Sequence, residues 1–140
     1  MNQRPLVPGI EGIHHVAIRA TDWEGSLRFY GELLGFARTA EARFPDGRRI
    51  VRFADASGYE IELASCDAKT AAIDGPVAHI GLAVADVEQA IRAIEREGFH
   101  VTRPPADVEI DGLRATIAFF TGPNGESLEL IREIAPLDHR

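Results

Sequence analysis

The chain has 140 residues, which is the usual size of one domain. Apolar residues make up 45% of it and charged residues 26%, a balance that is typical of globular proteins and excludes a disordered or fibrous chain. Its 15 basic and 22 acidic side chains give a net charge of −7. A concentrated positive surface for nucleic acid is therefore not expected.

Two further function classes are excluded by simple counts. No apolar run approaches the ~18 residues of a membrane span, and the first residues lack the apolar stretch of a secretory signal. We therefore expect neither a membrane partner nor export, and predict a cytoplasmic location. The single cysteine, Cys66, excludes an internal disulfide and a thiolate-rich zinc site. Any metal must be held by nitrogen and oxygen atoms.

The chain begins and ends with predicted arms. Residues 1–11 contain two prolines and a glycine, and residues 135–140 follow the same pattern of few apolar side chains with a proline. The domain is therefore predicted over residues 12–134.

The domain contains an internal repeat. The segment from His15 to Asp22 is echoed by the segment from His79 to Asp86, and in both the residues after the histidine alternate between apolar and other types. This period of two predicts a strand with one buried face. Each strand then leads into a predicted helix.

Both helices carry boundary signals. Asp22 and Asp86 are predicted N-caps, and Gly35 and Gly98 stand where the helices should stop. The apolar positions recur at helical spacing. They are Trp23, Leu27, Tyr30 and Leu34 in the first helix, and Val87, Ala90, Ile91 and Ile94 in the second.

Three strand-like segments follow each helix. They are predicted at 36–44, 49–54 and 59–64, and again at 100–103, 113–120 and 127–132, separated by turns rich in glycine, proline and asparagine. The chain thus reads as two βαβββ modules, 12–66 and 77–134, joined by a linker at 67–76. Neither module is expected to bury its sheet alone, so the two should pack side by side around a common cleft in an α+β fold.

Two glutamates occupy equivalent places in the last strands, Glu62 and Glu129, each four residues after a glycine. Alternation along the strands places both on the face opposite the helices, and the same parity places His15 and His79 there. Two imidazoles and two carboxylates suit Zn²⁺, Ni²⁺, Co²⁺, Mn²⁺ or Fe²⁺. A single strand histidine is more often structural, and it is the repetition that favours one shared metal site.

Two neighbours of this set are ambiguous. His14 has the opposite facing in a regular strand, which predicts a packed or interfacial side chain. Arg19 shares the face of His15, so it could bind an anionic substrate or form a salt bridge.

The motifs together resemble the vicinal oxygen chelate superfamily, which includes glyoxalase I, methylmalonyl-CoA epimerase, fosfomycin-resistance transferases, extradiol dioxygenases and bleomycin-binding proteins. The resemblance covers nearly the whole domain. It is carried by the runs His14–Ile18, Ser26–Tyr30, Leu33–Phe36, Ile61–Leu63, His79–Leu82 and Phe119–Ile131.

This resemblance implies a cupped mixed sheet that holds one divalent metal through His15, Glu62, His79 and Glu129. The full two-histidine, two-glutamate set is most similar to bacterial glyoxalase I, lactoylglutathione lyase, and Arg19 falls where that enzyme has an arginine for the glutathione carboxylate. Cys66 stands where glyoxalase I has an asparagine that contacts glutathione. Arg114 is a candidate for the basic residue that glyoxalase I has ahead of its last metal-ligand strand. The identity of the thiol in the substrate is therefore left open. A homodimer is also implied.

The implied activity is a proton transfer next to a carbonyl. The metal stabilises the developing enediolate charge, and Glu129 or Glu62 moves a proton within a thiol–2-oxoaldehyde hemithioacetal to give a 2-hydroxyacyl thioester. Two alternatives remain. One is another metalloenzyme of the superfamily, either an epimerase or an extradiol dioxygenase type that depends on iron and oxygen. The second is a metal-free drug-binding resistance protein with an apolar cleft. Its candidate lining residues are Phe44, Phe53, Phe119 and Phe120.

Overall fold

A computed structural model describes residues 4–134 of the protein. The strands are β1 (Ile10–Ala20), β2 (Ala37–Arg43), β3 (Arg49–Ala54), β4 (Glu60–Ser65), β5 (Val77–Val84), β6 (Val101–Ile110), β7 (Leu113–Thr121) and β8 (Ser127–Ile134). The helices are α1 (Trp23–Leu27), α2 (Ala68–Asp74) and α3 (Val87–Arg96), and a π-helical segment (Arg28–Leu33) follows α1 directly.

All eight strands form one mixed sheet in the order β2-β3-β4-β1-β5-β8-β7-β6. Within each module the first and last strands are parallel neighbours, β1 with β4 and β5 with β8. The modules meet where β1 pairs antiparallel with β5, an edge-to-edge junction that we call the seam. The predicted α+β fold of two βαβββ modules is confirmed.

Each module has its own apolar core under its helix. One core combines Ala90 and Ile91 of α3 with Val84, Ala118 and Leu130 of the sheet. The other core, in the first module, contains Ala20, Val51, Phe53 and Leu63 and packs against Trp23, Leu27 and Tyr30. These residues lie on the face that strand parity assigns to the helices, so the opposite face is left for the cavity.

The predicted N-caps are confirmed, but the first helix differs from the prediction. The side chains of Asp22 and Asp86 each accept a hydrogen bond of 3.1 Å from the main-chain N–H three residues later. After five residues of α1 the chain widens into the π-helical segment, where Gly31 lies against the Phe53 ring and an added Cβ would come within 3.2 Å of it. Within residues 4–134, no helix is long and apolar enough to cross a membrane.

Three boundaries also differ from the sequence prediction. The linker contains α2, which begins after Asp67, whose side chain accepts from the Thr70 N–H at 2.8 Å. β1 begins at Ile10, inside the predicted first arm. β6 continues through two prolines to Ile110, which is tolerated because β6 is an edge strand. The predicted arm 135–140 lies outside the described residues.

Candidate metal site

The four predicted ligands lie on four adjacent strands at the middle of the sheet. Glu62 is on β4, His15 on β1, His79 on β5 and Glu129 on β8. In the register His15 faces Gly81, and Gly81 in turn faces Glu129. The seam therefore brings side chains from both modules to one point on the face opposite the helices.

Three of the four come together closely. His15 Nε2 and His79 Nε2 are 3.1 Å apart, and Glu129 Oε1 lies 3.2 Å from the first and 3.3 Å from the second. Ligand atoms bound to one ion at ~2.1 Å lie about 3.0–3.4 Å from each other in octahedral or tetrahedral geometry. This triangle of His15, His79 and Glu129 therefore has the size that a single divalent ion requires.

The charge and burial of Glu129 also suit a cation. Its Oε1 is buried and accepts no hydrogen bond of good geometry from the described residues. Burial alone would raise the pKa of Glu129, but the adjacent imidazoles of His15 and His79 outweigh it and lower this pKa to about 2. The residues present thus offer an ionised carboxylate and two imidazoles that fit a divalent ion.

Neighbouring residues fix the two imidazoles. A Cβ added at Gly81 would lie 2.6 Å from His15 Nδ1, so the ring occupies space that only glycine leaves free. The His79 ring packs edge-on against Phe119, with ring centroids 5.2 Å apart. Both contacts hold an imidazole in place before any ligand binds.

Glu62 lies beside the triangle rather than in it. Its Oε2 is 4.0 Å from His15 Nε2 and accepts a 2.9 Å hydrogen bond from Arg52 Nε. Arg52 is largely buried and its Nη1 also binds Glu133. Burial opposes the charge of Arg52, but the carboxylates of Glu62 and Glu133 raise its pKa above the ordinary value. Metal ligation by Glu62 stays a prediction.

Arg19 does not line the cavity formed by the described residues. Its Nη1 donates to the carbonyl oxygens of Asp74, Gly75 and Val77 at 3.3, 2.8 and 3.1 Å. The guanidinium therefore fixes the end of α2 to the start of β5. A substrate-binding role for Arg19 stays a prediction.

Two members of the triangle, His79 and Glu129, line a cavity of about 890 Å³. Ile117, Phe119 and Ile131 form an apolar part of its wall. Of the four aromatic residues expected in an apolar cleft, Phe44 and Phe119 line this cavity, but Phe53 and Phe120 belong to the two cores beneath the helices. Arg114, the candidate basic residue, also lines it.

His14 is placed differently from the sequence prediction. A register shift in β1 between Ile13 and His15 breaks the strict alternation, so His14 turns to the same side as His15. Its Nδ1 lies 2.8 Å from His15 Nδ1, and its Nε2 lies 3.2 Å from Glu133 Oε1. The hydrogen bond from His14, together with Arg52 and despite burial, lowers the pKa of Glu133 to about 2.

Sequence reasoning missed three residues around the triangle and placed His14 on the wrong face of β1. The three missed residues are Arg52, Gly81 and Glu133. Glu133 has the parity of Glu129 on the same strand and could have been found from that signal. Gly81 interrupts an apolar strand two residues after His79, which is a weaker sign that another group approaches closely.

Comparison with known proteins agrees with this fold. The family model described as the glyoxalase/bleomycin resistance protein/dioxygenase superfamily matches residues 12–130. A probable lactoylglutathione lyase of Vibrio parahaemolyticus is 34% identical over 125 residues, 86% of this chain and 89% of the relative. A probable chloroplastic lactoylglutathione lyase of Arabidopsis thaliana is 29% identical over 122 residues, 84% of this chain, and the match spans only 34% of that relative.

A solved structure supports the architecture. Methylmalonyl-CoA epimerase from Mycobacterium tuberculosis superposes with a TM-score of 0.76 at 21% identity, covering 96% of this chain and 94% of the other. At that identity the likeness concerns the fold alone. The family match, in contrast, extends over most of the domain and includes all three residues of the triangle. The chain belongs to the glyoxalase/bleomycin resistance protein/dioxygenase superfamily.

Proposed function

We propose that the protein is a divalent-metal-dependent lyase or isomerase of the glyoxalase I type. The observation that carries the proposal is the triangle of His15 Nε2, His79 Nε2 and Glu129 Oε1, with edges of 3.1–3.3 Å, at the wall of a cavity large enough for a small substrate. The bacterial relative named as a probable lactoylglutathione lyase supports this choice of reaction.

The proposed ligands of one ion are His15, His79 and Glu129, with Glu62 as a fourth ligand once Arg52 releases its Oε2. Nitrogen and oxygen donors suit Ni²⁺, Zn²⁺, Co²⁺, Mn²⁺ or Fe²⁺. When bound, the ion supplies Lewis-acid stabilisation of the negative charge that develops on a substrate oxygen as a C–H proton leaves.

The proton itself is handled by a carboxylate. We assign this role to Glu62, because Glu129 Oε1 already lies between the two imidazoles, whereas Glu62 borders the cavity beside them. Glu62 takes the proton from C1 of a thiol–2-oxoaldehyde hemithioacetal and returns it to C2, which gives a 2-hydroxyacyl thioester. Arg52 orients the carboxylate through its 2.9 Å hydrogen bond. Glu129 is the other carboxylate that the sequence offers as base.

The reaction is tested by metal analysis followed by assay. Purified protein is loaded with Ni²⁺ or Zn²⁺, and methylglyoxal is supplied with glutathione and several other thiols while thioester formation is followed. We expect thioester only in the loaded protein. Absence of bound metal supports a metal-free binding protein instead, and oxygen uptake with Fe²⁺ supports a dioxygenase type. Exchange of a substrate α-proton with solvent but no thioester supports an epimerase type.

Matched substitutions distinguish the roles of the two carboxylates, Glu62 and Glu129. Glu62→Gln should lower kcat by on the order of 10²–10⁴ while Zn²⁺ binding is retained, because removal of a general base has that cost. Glu129→Gln should chiefly weaken Zn²⁺ binding, measured by competition with a chromogenic chelator. Wild-type kcat in the Glu62→Gln protein contradicts the assignment of the base. The homodimer, the cytoplasmic location and the role of Arg19 remain predictions.

A further inference from the structure

A pair of side chains behind His15 is not used by the proposed reaction. His14 of β1 and Glu133 of β8, which we call the supporting pair, lie next to the His15 ring. Glu133 Oε1 is 3.2 Å from His14 Nε2, and His14 Nδ1 is 2.8 Å from His15 Nδ1. His15 is 1% exposed, so its Nδ1 depends on this partner rather than on water.

With a neutral His14, the chemistry of the groups sets which atom donates in both contacts. An ionised carboxylate only accepts, so His14 Nε2 must donate to Glu133. A neutral His14 then carries a lone pair on Nδ1, and the contact at 2.8 Å is favourable only when His15 Nδ1 donates to it. This arrangement leaves the lone pair of His15 on Nε2, so the hydrogen that faces Glu129 Oε1 is the one on His79 Nε2, 3.3 Å away.

We infer that His14 and Glu133 are positioning residues that hold the His15 ring and keep its proton on Nδ1, so that Nε2 is ready to bind the ion. The inference rests on the proposed metal site. Partners of this kind behind a ligating histidine set both its tautomer and its orientation. The pair is itself anchored, because Arg52 binds Glu133 with one nitrogen and Glu62 with another.

The supporting pair serves one histidine only. The residue before His79 is Ala78, whose side chain has no hydrogen-bonding group, and the His79 ring packs against Phe119 instead. The bulge of β1 is what allows adjacent histidines to share one side of the strand. A packed histidine without this function would not need one nitrogen in contact with a carboxylate and the other in contact with the His15 ring.

The tautomers are tested in the metal-free, full-length protein. Ring ¹⁵N shifts and two-bond ¹H–¹⁵N couplings identify which nitrogen of each histidine carries hydrogen. We expect hydrogen on Nε2 of His14 and on Nδ1 of His15. A His14 that carries its hydrogen on Nδ1 overturns the inference. This measurement needs no bound ion, so it remains decisive if the protein binds no Zn²⁺ and the proposed function fails.

Zn²⁺ affinity, measured by chelator competition, tests the consequence. His14→Phe keeps a ring but removes the acceptor, and Glu133→Leu removes the carboxylate; we expect ~10–100-fold weaker Zn²⁺ binding in each. His14→Asn and Glu133→Gln keep an oxygen acceptor near the required position and should stay within a few-fold of wild type. Glu11→Gln, an exposed change on β1, is the matched control.

The pattern across these variants decides the role. If only packing matters, His14→Phe should bind Zn²⁺ as wild type does and His14→Asn should be the weaker of the two. That result, or Glu133→Leu at wild-type affinity, overturns the inference. The NMR spectra of the same variants report whether each is folded.

Discussion

The two modules share a plan but treat their glutamates differently. In the register Glu62 faces Arg52 across β3 and β4, whereas the equivalent Glu129 faces Phe119 across β7 and β8. Arg52 forms an ion pair with the carboxylate of Glu62, but the Phe119 side chain has no group that could donate a hydrogen bond to Glu129. The residue opposite each glutamate on the neighbouring strand thus decides its place: Glu129 lies against the two imidazoles, and Glu62 lies beside them.

The histidines differ in the same way. Two residues after His15 stands the buried Ala17, but the equivalent position after His79 is Gly81, which leaves room for the His15 ring. A duplicated sequence therefore does not imply a duplicated function. The identity of the neighbours across each strand assigns one set of groups to binding and leaves another free to react.

The largest effect should come from filling the space at Gly81. In Gly81→Ala the new Cβ would lie 2.6 Å from His15 Nδ1, so the ring must move and the triangle opens. We expect Zn²⁺ affinity to fall ~100-fold or more, and the free energy of unfolding to fall by about 1–3 kcal/mol. Chelator competition and urea unfolding measure the two quantities.

The equivalent position supplies the control for this change. Ala17→Gly should lower the free energy of unfolding by about 0.5–1 kcal/mol through added chain flexibility but leave Zn²⁺ affinity within a few-fold of wild type. Wild-type Zn²⁺ affinity in Gly81→Ala would show that Zn²⁺ binding does not require the present position of the His15 ring.

A smaller effect should follow from making the first module resemble the second. Arg52→Phe removes the ion pair of Glu62, so that the Glu62 carboxylate is free to bind the metal ion. We expect Glu62→Gln to weaken Zn²⁺ binding ~10-fold in the Arg52→Phe background but less than ~3-fold in the wild-type background, which is a coupling typical of residues in contact.

A second substitution at Arg52 serves as the control for this comparison of the two backgrounds. Arg52→Met fills the site with a smaller apolar side chain and should give the same coupling. If Glu62→Gln has equal effects in both backgrounds, Arg52 does not decide whether Glu62 reaches the ion.

The smallest effect concerns Glu133 in the metal-free protein. The hydrogen bond from His14 is the main cause that lowers the pKa of Glu133 from 4.5 to about 2. A lowered pKa in the folded state means a stabilisation that is complete above pH 4.5 and is lost as the pH falls towards 2. The difference in unfolding free energy between wild type and Glu133→Gln should therefore be smaller at pH 3 than at pH 7. A difference that grows at pH 3 would contradict the ion pair.

Much of this arrangement could be predicted from the sequence. The period-two pattern and the repeat place His15, His79, Glu62 and Glu129 on one face, because strand parity is a property of the backbone. Capping by Asp22 and Asp86 follows from their position before apolar helical stripes. Even α2 had local signals, in Asp67 at its start and Gly75 at its end.

The rest depends on contacts between distant segments. A bulge in β1 reverses the facing of His14, and no residue type marks it in advance. Arg52 and Glu133 are 81 positions apart, so their contact exists only after the sheet has closed. Beyond Leu27 the first helix widens where Gly31 packs against Phe53, a contact that helix propensity alone does not report.

The seam has a consequence for stability. Because each helix covers its own core, the halves are joined mainly by the main-chain ladder between β1 and β5. An ion bound by His15 of the first module and by His79 and Glu129 of the second would link the two modules in addition to that ladder. Loading should then raise the melting temperature of the whole molecule in a single transition, in step with ion concentration.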